Sequence, residues 1–201
     1  MTSRVTLITP AMNASLRQAR FDDGASIDAG GAQRAGAVGE LLPAAARVLV
    51  SPSVRCRETA AALGLDGAEA EELAGLDVGR WRGAVLDEVA AREPEAVARW
   101  LGDPASAPHG GESVEDVRAR VARWLEACRD VDGRTLAVVE PDVVRAVVVQ
   151  VLGAPSSAFW RLDVPPLTAT TVSGRGGRWN LRLGDPLEGA EGTRAASPGG
   201  S

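Results

Sequence analysis

"AVVEPDVVRAVV", residues 137–148, reads as a buried strand running straight into an apolar helix, and the junction holds Glu140, Pro141 and Asp142. Open α/β sheets form their ligand crevice at the carboxyl ends of the strands, so two carboxylates here stand where chemistry is expected. Either the acids are catalytic or they replace something that was.

The strand-then-helix pattern recurs on both sides of this stretch. Apolar or β-branched runs at 4–9, 47–51, 135–140, 167–173 and 178–183 predict strands. Helical periodicity is found at 29–45, 53–64, 85–101 with a break near Pro94, 113–129 and 142–152. In the fourth of these helices Ser113 is placed to cap with Asp116 three residues on, and Val117, Val121, Trp124 and Leu125 form an apolar stripe. Alternating strands and helices predict a three-layer α/β/α sandwich on a mostly parallel sheet. The last two strands, joined by "GRGG", predict a C-terminal hairpin at its end. One domain is expected over 1–183. The Gly/Pro/Ser-rich segment 184–201 has no periodicity and is expected to be a disordered tail.

Composition narrows the chemistry. All 22 basic residues are arginine, so a P-loop lysine and Schiff-base catalysis are excluded. The single histidine, His109, excludes any scheme that needs two in one chain. A net charge of −5 disfavours nucleic-acid binding. No stretch approaches the roughly 18 apolar residues of a membrane span, and the N-terminus reads as a strand opening rather than a signal peptide. Cys56 and Cys128 lack metal-ligand spacing and read as reduced structural thiols of a cytoplasmic protein. No metal or cofactor is implied.

Five segments then occur in a telling order. "SPSVRCRETAAALG" (51–64) resembles the S-P-x-x-R-x-x-x-T-A helix start of the histidine phosphatase (phosphoglycerate mutase-like) superfamily. "LDVGRWRG" (76–83) is similar to that family's D-x-G-x-W-x-G loop, and "HGGES" (109–113) to its G-G-E-S turn. "LAVVEPDVVRA" (136–146) resembles its histidine-ending strand and V-x-R-A helix, and 159–181 resembles its closing segment. The resemblance spans about residues 4–183. It implies a phosphoryl transfer in which one histidine attacks phosphorus and a second helps bind it. Arginines hold the oxygens, and a carboxylic acid protonates the leaving group.

The chain departs from that pattern at each chemical position. The nucleophile's triplet is here Thr9-Pro10-Ala11, and Pro10 has neither a nucleophilic side chain nor a backbone N–H. The second histidine aligns with Glu140, and the acid, two residues before Asp77, with Gly75. Ionised Glu140 is acceptor-only and would repel phosphate where a histidine would donate.

Arg17 and Arg55 are the expected anion holders, with Arg20 an equal candidate to Arg17. Beside Glu140 they are expected to rest as internal arginine–carboxylate pairs. Glu112 is expected to face the pocket or cap the next helix. His109, in a Pro-Gly loop, is expected to be structural or solvent-facing, and Trp81, Trp124, Trp160 and Trp179 to pack in core or lid. The expected function is a non-phosphatase protein that binds a small-molecule ligand or protein partner. The alternative is a repurposed enzyme using Glu140 with Asp77 or Asp142 as acid and base. A third possibility, His109 as a surviving nucleophile, requires a large loop movement.

Overall fold

The computed structural model describes residues 3–175 and 178–187. Six strands form one sheet: β1 (Ser3–Ile8), β2 (Arg47–Val50), β3 (Ala68–Glu69), β4 (Gly133–Val138), β5 (Thr168–Arg175) and β6 (Arg178–Pro186). Their spatial order is β3-β2-β4-β1-β5-β6. The first four run parallel; β5 is antiparallel to β1, and β6 pairs antiparallel with β5. The helices are α1 (Ala14–Arg17), α2 (Ala29–Gly39), α3 (Val54–Ala62), α4 (Leu86–Arg92), α5 (Pro94–Gly102), α6 (Val114–Ala127) and α7 (Pro141–Leu152).

Period-two alternation divides the core between the two faces. Val5 and Leu7 of β1, with Ala137 and Val139, pack under α6 and α7 against Val117, Val121, Val144 and Val148. Their sequence neighbours Ile8, Leu136 and Val138 point the other way, against Ala35, Val38, Cys56 and Ala60 of α2 and α3. α2, between β1 and β2, therefore lies on one face and α7, which follows β4, on the other. Neighbouring parallel strands whose connections diverge open a crevice at their carboxyl ends. A third apolar group, Val78, Trp81, Val89, Val97 and Trp100, holds the α4–α5 excursion together.

The predicted elements are found with shifted ends. α2 stops at Gly39 rather than 45, because Gly39 rests directly on the Leu63 backbone and the chain turns through Leu41 and Leu42 before Pro43. Pro94 begins α5 instead of merely kinking a longer helix, since its missing N–H costs nothing at a first turn. The short β3 and α1 carry too few residues to show a period. Strand β6 continues to Pro186, past the expected tail start at Gly184, because Asp185 and Pro186 still pair with Ala169 and Thr168. The rest of that expected tail, 188–201, and the hairpin tip 176–177 lie outside the described residues. No helix among the described residues is long and apolar enough to cross a membrane.

Candidate functional site

A cleft of about 1050 Å³ lies at the carboxyl ends of β1, β2 and β4. Pro10, Arg55, Gly75 and Glu140, spread over the chain, all line it. The strand β1 delivers Thr9-Pro10-Ala11 to its floor. This segment is tied down on both sides: Thr9 Oγ1 donates to the Pro165 carbonyl at 2.7 Å, and the Ala11 N–H donates to Thr59 Oγ1 at 2.9 Å.

Glu140 is the N-cap residue of α7, with Pro141 in the first turn, yet its side chain makes no capping bond. It turns into the cleft floor instead. Arg55 Nη2 donates to Oε2, and Arg55 Nε reaches Oε1 at 3.4 Å. Ser53 Oγ donates to Oε1 at 2.7 Å while accepting the Cys56 N–H at 3.2 Å as the cap of α3. The pair is nearly dry, with side chains 9% and 8% exposed. Burial works against the Arg55 charge, but Glu140 outweighs it and raises the guanidinium's pKa. The buried Cys56 thiol, 3.7 Å from Glu140 Oε1, is pushed well above the ordinary thiol range by burial and by that carboxylate. It is no nucleophile. The expected internal pairing of Glu140 therefore stands with Arg55.

Gly75 is pressed against the same carboxylate: a Cβ there would meet Glu140 Cγ at 3.1 Å and Cβ at 3.3 Å. The position expected for the acid is thus filled by the stem of Glu140.

Two more carboxylates at the cleft are held by arginines. Glu112 accepts from Arg120 Nε at 3.0 Å and Nη2 at 2.7 Å, a two-pronged clamp that also fixes the start of α6. Ser113 and Asp116 complete the expected capping box there. Asp142 accepts from Arg145 at 3.0 Å, one turn along α7, and from the Leu76 N–H at 3.4 Å. Asp77 lines the cleft without an ion pair among the described residues; its Oδ1 accepts from the Gly79 N–H at 3.0 Å.

Arg17 is a correction. It does not line the cleft: the side chain is 54% exposed and paired with Asp28 at 2.5 Å, because α1 is a single turn that directs it outward toward the cap of α2. Arg20 is also absent from the lining and donates to the Gly83 carbonyl at 2.6 Å.

His109 is structural and 1% exposed. Its ring lies 5.0 Å from that of Trp81 and 6.2 Å from that of Trp100, and its Nδ1 accepts the Gly111 N–H at 3.1 Å. Burial lowers its pKa, aided by Arg80 and opposed by Asp77. The loop it anchors is stitched to the Asp77 segment by Arg80 N–H to His109 O at 3.0 Å and Glu112 N–H to Asp77 O at 2.8 Å.

Sequence reasoning passed over Ser53, Arg82, Arg120 and Arg145. Arg145 was legible as the i+3 partner of Asp142. Arg120 and Glu112, eight residues apart, meet across the start of α6, a spacing that no local pattern signals. Among the described residues no group of acids, histidines and cysteines could hold a metal ion.

The chain matches the histidine phosphatase superfamily (branch 1) over residues 11–185, and it belongs to that family. Two curated relatives are more distant in scope. The bifunctional protein Rv2228c of Mycobacterium tuberculosis is 35% identical over 125 residues, 59% of this chain and 34% of that one. Phosphoserine phosphatase 1 of Hydrogenobacter thermophilus is 34% identical over 106 residues, 51% of this chain and 50% of that one. The matched stretch thus spans half or less of each relative. Among solved structures, the mycobacterial glucosyl-3-phosphoglycerate phosphatase Rv2419c in complex with VO3 superposes with a TM-score of 0.78 at 23% identity, covering 90% of this chain and 98% of that one. The alpha-ribazole phosphatase of Shigella flexneri gives 0.80 at 20% identity, covering 92% and 97%. At such identities these likenesses speak for the fold alone.

Proposed function

We propose that this member of the family binds a ligand or a protein partner in its cleft without phosphoryl transfer. One observation carries the reading: the buried Arg55–Glu140 pair. An arginine at a cleft floor serves a phosphate by offering unspent donors and a positive charge. Here an internal carboxylate already neutralises that charge and engages the Nε and Nη2 donors, so an incoming phosphate would have to displace Glu140 or face its charge. Pro10 adds no nucleophile beside it, and Gly75 no acid.

The repurposed-enzyme reading draws less support. Glu140 and Asp142 are both committed as acceptors to arginines, which leaves Asp77 as the one of the three without an ion pair among the described residues.

Steady-state hydrolysis of p-nitrophenyl phosphate and of phosphoserine tests the proposal. The expected result is no turnover above background, because a nucleophile, a phosphate-binding group and an acid act as a unit. Turnover on the order of 1 per second would overturn it. If such activity disappeared in His109→Ala, the buried histidine would be the nucleophile after all.

A further inference from the structure

His109 is the one histidine of the chain, and histidine is the side chain whose ordinary pKa lies nearest neutrality. It is buried in the turn that carries Glu112 to the cleft. Because Nδ1 accepts the Gly111 N–H, the neutral ring holds its proton on Nε2, which has no hydrogen-bond partner among the described residues. The turn presses on the Asp77 segment without slack: a Cβ on either Gly79 or Gly111 would collide with backbone across the contact. Three bonds cross it, from Arg80 N–H to His109 O at 3.0 Å, from Glu112 N–H to Asp77 O at 2.8 Å, and from Asp77 N–H to Glu112 Oε2 at 3.3 Å. Asp77, Val78 and Arg82 line the cleft on one side of this contact, and Glu112 with Arg120 on the other.

We propose that His109 is a proton-operated latch on this wall of the cleft, closed while Nδ1 is bare and released when Nδ1 takes a proton. The latch is independent of what the cleft binds and of whether phosphate is excluded from it.

A protonated ring is a donor at both nitrogens, so Nδ1 would then meet the Gly111 N–H donor to donor, with the new charge buried. The neighbouring charges do not offset this. From the segment packed against the ring, Asp77 favours the charge and Arg80 opposes it. Arg80 is bonded to the Pro108 carbonyl and paired with Glu93, which also accepts from Trp81 Nε1 at 3.4 Å. Glu112, on the same turn, is engaged by Arg120, and α5 presents the uncharged Trp100 ring. Burial, aided by Arg80 and opposed by Asp77, therefore holds the closed ring below the ordinary 6.5. A solvated turn restores the ordinary value, so protons favour the open form. Release stays local because the apolar group around Trp81 and Trp100 is separate from the core under α6 and α7.

The test is residue-resolved amide hydrogen exchange of the whole protein at about one pH unit above and one below 6.5, corrected for intrinsic exchange. The Arg80, Gly111 and Glu112 amides should be about tenfold or more less protected than those of Val121 and Val144, the mark of an opening short of unfolding. On the acid side their protection should fall together by about threefold or more. His109→Gln keeps an acceptor for the Gly111 N–H but takes no proton there, so it should keep the protection and lose its pH dependence. A second measurement needs no variant: the imidazole nitrogen spectrum of the parent at neutral pH should show the proton on Nε2. The proposal is overturned if the turn amides share the protection of the core, if their protection ignores pH, if His109→Gln retains the dependence, or if the neutral ring carries its proton on Nδ1.

Discussion

Glu140→Ala should be the most damaging single truncation at the cleft. With both side chains less than one tenth exposed, the pair belongs to the buried class and not to the screened surface class. Removing one partner of a buried pair leaves the other charge dry and uncompensated, at a cost of about 3–5 kcal/mol. Ser53 Oγ also loses its acceptor. At about 2–4 °C per kcal/mol for a domain of this size, thermal unfolding should move down by about 6–20 °C. Arg55→Leu should cost a similar amount for the mirror-image reason. The double variant Arg55→Leu/Glu140→Leu removes both charges and should recover most of the loss, since apolar replacement of a whole buried pair is often neutral. Calorimetric unfolding of the three variants and the parent measures this cycle. A Glu140→Ala cost under about 1 kcal/mol, or strictly additive single costs, would mean that water screens the pair and that Arg55 remains open to anions.

Other consequences concern the cleft walls. Gly75→Ala should cost about 1 kcal/mol in chemical denaturation, because Glu140 is pinned by Arg55 and Ser53 and has no room to yield the few tenths of an ångström required. The same substitution should be close to neutral in a Glu140→Ser background. Gly111→Ala should cost on the order of 3 kcal/mol in urea unfolding, since its Cβ would stand 2.0 Å from the Asp77 carbonyl oxygen, a backbone atom that cannot swing aside. His109 sets a pH dependence. Its folded pKa lies below the ordinary 6.5 of the unfolded chain, so stability is full above that value. It then declines as pH falls through 6.5 and on through the folded pKa, as the unfolded state takes up the proton first. A proton on Nδ1 would also break the bond from the Gly111 N–H. His109→Gln should flatten the melting temperature in the range just below pH 6.5. A parent with no slope there would refute the assignment. Asp23 and Asp116, held low by Ser15 and Ser113 hydroxyls, act only in the more acidic range.

How much of this was legible beforehand follows from how local each signal is. The strands and helices were readable because alternation and 3.6-residue periods are local, and Pro94 and Ser113 punctuate them with their own chemistry. The convergence of Pro10, Gly75, Arg55 and Glu140 was readable from motif order within a known fold, not from any spacing in the chain. Arg17 failed because a single turn of helix is too short for periodicity to show which way its side chain points, and Asp28, eleven residues on, captured it. The pair of Glu112 with Arg120 and the cage around His109 depend on how the loop between α5 and α6 folds back on Asp77, a tertiary contact that leaves no periodic trace.

The central claim is that Glu140 closes the phosphate site by occupying Arg55, and titration calorimetry with inorganic phosphate tests it most directly. Glu140→Gln keeps an acceptor for Ser53 and much of the packing but removes the charge that neutralises Arg55 and repels the anion. With Arg55 released, this variant should bind phosphate about tenfold or more tightly than the parent. Equal phosphate affinity in the two proteins would contradict it.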